Sequence, residues 1–247
     1  MKISKDSIGD RFKGYENASR HYHPRRLPLI IRVDGIAFHT LTRKLARPYD
    51  SDFMDVMVNT ALHTAAKIQT CRFVYTQSDE ISFLLINYEK LTTEPWFGNC
   101  KSKIESASAA IATAIFNKLR SDPYGSPPLG MFDSRSFVIP PSEVCNYFIW
   151  RQQDATRNAV SLAAQSQFSH KSLHGVSGEQ MQERLFQEKG INFNDYPTKF
   201  KRGVAIYKGE GGVGWAVDSE IPIFTQDRQF IERHVFVGND KQEDKND

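Results

Sequence analysis

Two aspartates separated by one amphipathic stretch are the residues of this 247-residue chain whose type and placement point to chemistry. Asp34 stands near the end of the apolar run PLIIRVDG at residues 28–35, and Gly35, lacking a Cβ, lets the adjacent backbone carbonyl approach a ligand closely. Asp79 lies in Ser78-Asp79-Glu80, between residues 72–77 and 81–86, two runs rich in aromatic and β-branched residues. That pattern predicts an antiparallel hairpin with two carboxylates at its tip. If both strands share a sheet, Asp34 and Asp79 converge, and converging carboxylates repel unless a divalent cation lies between them. Taken singly, Asp34 reads as a turn residue satisfying backbone amides and 78–80 as a polar hairpin loop. Together they match two-metal phosphoryl transfer. Two carboxylates and a carbonyl hold a pair of Mg²⁺ ions about 4 Å apart, which lower the pKa of an attacking hydroxyl and neutralise phosphate charge.

The elements that must position these groups follow from periodicity. Residues 6–20 predict a short polar helix, and Pro28 opens the first strand. Asp50 or Ser51 caps a helix of about 18 residues, because Phe53, Met54, Met57, Val58, Ala61, Leu62 and Ala65 recur at helical spacing. After the hairpin a second long helix spans 101–119, stopped by Asp122-Pro123-Tyr124-Gly125 and Pro127-Pro128. A strand follows at 131–140, then a third long helix from Ser142 or Glu143 to about Phe168. Further on come a helix at 178–189, an extended stretch at 191–196, and two late strands at 203–207 and 215–224 joined by a glycine-rich turn. The order β, α, β-hairpin, α, β is the ferredoxin-like split βαβ arrangement of polymerase palm domains and nucleotide cyclases. The expected fold is therefore α+β, an antiparallel palm-like sheet with helices packed on one face and a helical/β C-terminal extension. Residues 1–238 read as a single domain, and the charged tail 239–247 as disordered.

Composition narrows the function classes. A chain of this length with 40% hydrophobic residues can bury a full core without disulfides. Cys71, Cys100 and Cys145 are odd in number and never form a CxxC pair, which argues against a disulfide framework or a zinc site and suits a reducing cytoplasm. No signal-peptide core or membrane-length apolar run is present. The net charge of +3 is small, but Arg20, His21, His23, Arg25 and Arg26 cluster before the first strand and Lys199, Lys201, Arg202 and Lys208 cluster later. Such clusters are equally the mark of an ordinary solvated surface. The run at 209–214 matches a dinucleotide-binding glycine pattern, yet a strand follows where that fingerprint needs a helix. His170 and His174 lack a third zinc ligand nearby, and Ser161 sits in no nucleophile elbow.

The motifs RVDGIAFH at 32–39, Arg47-Pro48, QSDEISF at 77–83, FDSR at 132–135 and WRQQDATRN at 150–158 resemble, in this order, those of the tRNA-His guanylyltransferase family. The resemblance spans nearly the whole chain. It implies a reverse (3′-to-5′) nucleotide polymerase with a palm-like domain, usually tetrameric, that adds nucleotides to the 5′ end of tRNA. By position it makes Asp34, the Gly35 carbonyl and Asp79 magnesium ligands, with Glu80 as a supporting catalytic carboxylate. It also implies a nucleotide site of Asp34, Gly35, Ile36, Ala37, Phe38, His39, Arg47, Ser78 and Asp79, with Phe38 and His39 near the base or phosphates. Lys103 and Lys201 or Arg202 become triphosphate contacts, and Arg151, Asp154 and Asn158 groups that either support the site's own residues from behind or position the substrate.

Two departures bear on specificity. The stretch after the WRQxD motif reads TRNAVSL at 156–162 instead of HINNLYN, and Ile36 replaces a common basic residue. The variant looks like the guanylyltransferase-like branch, whose members repair 5′-truncated tRNAs by templated addition. The implied reaction activates a 5′-monophosphate with ATP; the 3′-hydroxyl of an incoming triphosphate, GTP among them, then attacks. A palm-type cyclase acting on free nucleotide, a non-enzymatic tRNA-binding module and a purely structural protein are the rival expectations.

Overall fold

The computed structural model describes residues 7–120, 128–209 and 213–236. The tail at 239–247 lies outside the described residues, as do most of the expected break after residue 119 and the middle of the 209–214 turn. Helix α1 (Ile8–Ala18) precedes strand β1 (Leu29–Gly35), the short helix α2 (Phe38–Leu41) and helix α3 (Ser51–Ala65). The hairpin is β2 (Cys71–Gln77) and β3 (Glu80–Leu85), followed by α4 (Lys101–Leu119), β4 (Phe132–Val138) and α5 (Pro141–Gln167). The extension comprises α6 (Gly178–Lys189), α7 (Thr198–Arg202), β5 (Val204–Lys208), β6 (Trp215–Asp218) and α8 (Gln229–Glu232).

One six-stranded sheet runs β4-β1-β3-β2-β5-β6, every neighbouring pair antiparallel. Its strands carry apolar residues on both faces because both are covered. Leu29, Ile31 and Val33 of β1 join the core against α3 and α4. Ile30 shares a second core with Phe73, Leu84, Phe148, Phe224 and Ile231, under α5 and α8. Thus α3 and α4 occupy one face as the split βαβ order requires, and α5 closes the other.

Local chemistry sets the boundaries. Asp50 caps α3 by accepting from the Phe53 amide at 2.8 Å, and a Ser177/Gln180 capping box opens α6. Helix α4 runs antiparallel to β4 and serves its outer edge: Glu105 accepts from the Ser136 amide at 2.7 Å, Ser108 and Ser134 share a 2.8 Å bond, and Thr113 accepts from the Phe132 amide at 3.1 Å. An edge strand satisfied in this way offers little to a second chain. Two expectations need correction. Residues 191–196 are not extended but contain a 3₁₀ turn at Phe193–Asp195, whose Asn192 side chain accepts from the Asn194 amide. The strand expected to 224 ends at Asp218, where the Asp218 side chain accepts from the Glu220 amide; Gln152 then takes over, donating to the Pro222 carbonyl and accepting from the Phe224 amide. No helix among the described residues is long and apolar enough to cross a membrane.

The second core also contains a titratable switch for stability. His234, 9% exposed, lies against Phe73 and Tyr207 with ring centroids 5.2 Å away, and burial lowers its pKa from 6.5 to about 4. A histidine whose folded pKa is depressed contributes stability above its unfolded pKa and loses it as pH falls through the folded one. Unfolding free energy should therefore drop by roughly 2–3 kcal/mol between about pH 6.5 and pH 4 from this residue alone. Urea titrations of wild type and His234→Phe across that window should show the slope flattened in the variant.

Candidate active site

The hairpin tip holds only two residues, Ser78 and Asp79, because Glu80 is already paired with Asp34 as the first residue of β3. Ser78 takes a left-handed φ of 50°, and its hydroxyl donates to Asp79 Oδ1 at 3.0 Å. The Gly35 amide donates to the Asp79 carbonyl at 3.1 Å, which ties the tip to the end of β1. A Cβ at Gly35 would lie 2.9 Å from Asp79 Oδ2 and 2.4 Å from the Phe38 ring. Glycine is thus needed on two counts: Asp79 reaches the strand end, and Phe38 packs beneath it. Burial raises the Asp79 carboxyl above the ordinary aspartate range against the pull of the Ser78 bond, and the Asp34 charge adds to the rise. The two carboxylates are close enough to repel.

Register arranges the remaining charges in rows. Asp133, Asp34, Glu80 and Gln77 are successive cross-strand partners on β4, β1, β3 and β2, so their side chains share the α5 face. Two residues back on that face, Arg135 is paired with Arg32. Arg135 donates to Asp133 at 3.3 Å and lies 4.0 Å from Asp34 Oδ2. From α5, Arg151 clamps Glu80 with two bonds, Nε to Oε1 at 2.8 Å and a terminal nitrogen to Oε2 at 2.9 Å. The same guanidinium donates to Asp154 at 2.8 Å, and Asp154 accepts a further bond from Arg157. Burial pushes the Glu80 carboxyl up while Arg151 opposes it, and a buried bidentate pair of this geometry is ionised.

Beside the tip opens a cavity of about 210 Å³, lined by Arg47, Asp50, Gln77, Ser78, Asn158 and Lys199 among others. Its wall is fixed by Tyr49, which donates to the Ala159 carbonyl at 2.8 Å and stacks on Phe200 at 4.9 Å. Lys199 is held at this cavity by Ser51 and Asp55.

Of the residues expected at the site, Asp34, Gly35, Asp79 and Ser78 meet at one point, and Arg47 and Asn158 line the adjoining cavity. Ile36 is exposed and donates its amide to Met131; Ala37, at φ 55°, leads into α2, where His39 is exposed. The structure gives the other expected residues these surroundings. Phe38 is 3% exposed and its ring packs in a core cluster with Phe53, Phe116 and Phe132. Glu80 is occupied by Arg151, and Arg151, 5% exposed, by Glu80 and Asp154. Asp154 is the outer partner of that pair. Lys103 stands in the first turn of α4, at the end of the sheet away from Asp34. Lys201 donates to the Asn194 carbonyl at 2.5 Å and Arg202 to Thr198, and of these three basic residues Lys199 is the one that lines the cavity. Sequence reasoning assigned no role to Asp133, Arg135 and Arg32, although the period-two alternation of FDSR and RVD places them on the face of Asp34.

Among the described residues no cluster of three or more His, Cys, Asp or Glu side chains is arranged to hold a metal. A cation here would rest on the Asp34 and Asp79 carboxylates and the Gly35 carbonyl, with solvent and substrate completing the sphere. That all-oxygen donor set, brought together because the missing Cβ at Gly35 lets the Asp79 carboxylate lie against the strand end, fits Mg²⁺.

A family model described as tRNAHis guanylyltransferase matches residues 9–140. A bacterial tRNA(His) guanylyltransferase-like protein solved in complex with ATP is similar at 48% identity and TM-score 0.90, over 94% of this chain and 100% of that one. Another such bacterial structure, in complex with GTP, gives 43% and 0.80 over the same shares. The tRNA(His) guanylyltransferase of Saccharomyces cerevisiae is 28% identical over 202 residues, 74% of this chain and 83% of that protein.

Proposed function

The chain belongs to the tRNAHis guanylyltransferase family of nucleotidyltransferases, and from that premise we propose that it is a Mg²⁺-dependent 3′-to-5′ polymerase acting on the 5′ end of tRNA. The observation that carries the reading is the meeting of Asp34 and Asp79 at Gly35, in a chain similar to proteins solved with ATP and GTP. Templated repair of 5′-truncated tRNA is the task we assign. Its support is the TRNAVSL stretch together with the similarity to bacterial guanylyltransferase-like proteins. Assembly as a homotetramer and a cytoplasmic location are part of the same reading and rest on the family resemblance.

Asp34, Asp79 and the Gly35 carbonyl would hold Mg²⁺, which supplies Lewis-acid stabilisation of phosphate charge and a lowered pKa for the attacking hydroxyl. The chain's own groups do the rest. Glu80 and Arg151 hold the start of β3 rigid, so that Asp79 keeps its place relative to Gly35. Arg47 and Lys199 give the cavity the charge to take a triphosphate, and Ser78 and Asn158 supply neutral hydrogen bonds. Two transfers are run at this site. First the 5′-monophosphate of the RNA attacks the α-phosphate of ATP, expelling pyrophosphate and leaving an adenylylated end. Then the 3′-hydroxyl of an incoming nucleoside triphosphate attacks the RNA 5′ phosphate, expelling AMP, and attack of water on the α-phosphate of the new 5′ triphosphate releases pyrophosphate and leaves a 5′-monophosphate.

The test is incubation with labelled nucleotide and Mg²⁺, with and without 5′-truncated tRNA. Label should enter RNA at its 5′ end, dependent on ATP when that end is a monophosphate. Cyclised nucleotide made without RNA would indicate a palm-type cyclase, and tRNA binding without incorporation a non-enzymatic module; either outcome ends the proposal.

A further inference from the structure

We propose that Trp150, with Arg32 and Arg135, is the platform that receives the 5′-terminal nucleotide of the RNA, its base on the indole and its phosphate on the guanidinium groups. The inference rests on the nucleotidyltransferase reading and adds where the RNA end lies.

Trp150 is 47% exposed although its neighbours Tyr147, Phe148 and Arg151 on the same helix are buried. It is nevertheless rigid. The Arg151 guanidinium lies over the ring at 4.3 Å, locked by Glu80 and Asp154, and Tyr147 meets it edge-on at 5.9 Å. An aromatic side chain fixed on one side and open to solvent on the other is what base stacking uses, and stacking accepts any base. That tolerance suits an enzyme meeting tRNAs cut at different positions.

The surroundings supply the charge. Arg32 lies 5.9 Å from the same ring, and its Nε is buried without a hydrogen-bond partner. Its cross-strand neighbour Arg135 has a side chain 48% exposed and stands 4.0 Å from Asp34. A chain of contacts thus leads from the open indole to the carboxylate pair, along the β1 and β4 side of the sheet. The cavity with Arg47 and Lys199 is on the other side of that pair, towards β2 and α7. Two substrates joined at one point need two approaches, and the structure has both. Asp133 holds Arg135 by one bond at 3.3 Å, which orients the guanidinium while leaving it other N–H groups for a phosphate.

Trp150→Ala and Trp150→Phe, assayed with 5′-truncated tRNA and ATP, test the platform. The alanine variant should raise KM for tRNA about tenfold, within the range of lost base stacking, while KM for ATP stays at the wild-type value and the melting temperature falls by no more than the few degrees that the lost contact with Arg151 costs. The phenylalanine variant should restore most of the affinity. Arg135→Gln should weaken tRNA binding and reduce the slope of log affinity against log salt by roughly one. An unchanged tRNA KM in Trp150→Ala, an equal rise in the ATP KM, or a fall in melting temperature that accounts for the loss would each overturn the platform. Wild type that extends tRNA alongside a normal Trp150→Ala sinks this inference alone. Wild type that neither binds nor extends tRNA sinks the functional reading, and the platform with it.

Discussion

Asp79→Asn should lose nucleotide addition by roughly 10³-fold or more while melting at or above the wild-type temperature. The activity loss is on the order of 4 kcal/mol of transition-state charge stabilisation, the scale expected when a shared metal ligand is withdrawn from phosphoryl transfer. The stability gain has a separate origin. Burial and the Asp34 charge hold the Asp79 carboxyl above its ordinary range, so the folded protein binds a proton there more tightly than the unfolded chain does. A carboxyl raised in this way contributes stability below its unfolded pKa and loses it as pH rises through the folded one. Asparagine, uncharged and of the same shape, removes that loss near neutral pH. Thermal melts in EDTA and single-turnover addition to 5′-truncated tRNA check both halves. Retained addition with a lowered melting point would mean that Asp79 is a structural turn residue and nothing more.

Arg151→Met should be the most destabilising single change at the site, lowering the unfolding free energy by about 3–5 kcal/mol. Both oxygens of Glu80 accept from Arg151, and the Glu80 side chain is only 9% exposed, so removing the guanidinium strands a buried carboxylate. The carboxyl then rises further above its ordinary range. The loss should be greatest near neutral pH and shrink as pH falls through the raised Glu80 pKa towards the usual carboxylate range, where Glu80 is protonated and neutral in the folded variant. Removing both charges in Arg151→Met with Glu80→Met should recover most of the stability, since well-packed apolar groups replace a buried pair at little cost. Chemical denaturation of the single and double variants measures the coupling; additive losses would show that the pair acts independently. The double variant should still add nucleotides poorly, because Glu80 is bonded to Asp79 through the chain and its clamp sets the turn.

These two substitutions also mark the limit of what the chain discloses unaided. Asp79 and Glu80 are neighbours of the same chemistry, and both read as carboxylates at a hairpin tip. Strand pairing separates them: with Glu80 in register opposite Asp34 it turns towards α5 and meets Arg151, while Asp79 remains in the turn beside Gly35. A one-residue shift in register would exchange their roles. Lys199, Lys201 and Arg202 are likewise equivalent as a basic run. On the short helix α7 they diverge by about 100° per residue, and only Lys199 reaches the cavity.

Periodicity, caps and breakers depend on near neighbours, and they were enough to place α3, α4, α5, the hairpin and β4, hence the palm-like order. Asp34-Gly35 and the hairpin aspartate were legible for the same reason, since each is a local turn feature. The contacts that assign roles join residues far apart in sequence: Glu80 with Arg151, Asp34 with Arg135, Trp150 with Arg32, Phe38 with Phe132. No local pattern encodes which distant partner a charge or ring will meet, because that choice is made by sheet register and by the packing of α5 across it. Residue type and spacing therefore specified a chemistry, and the folded arrangement decided which of several like residues performs it.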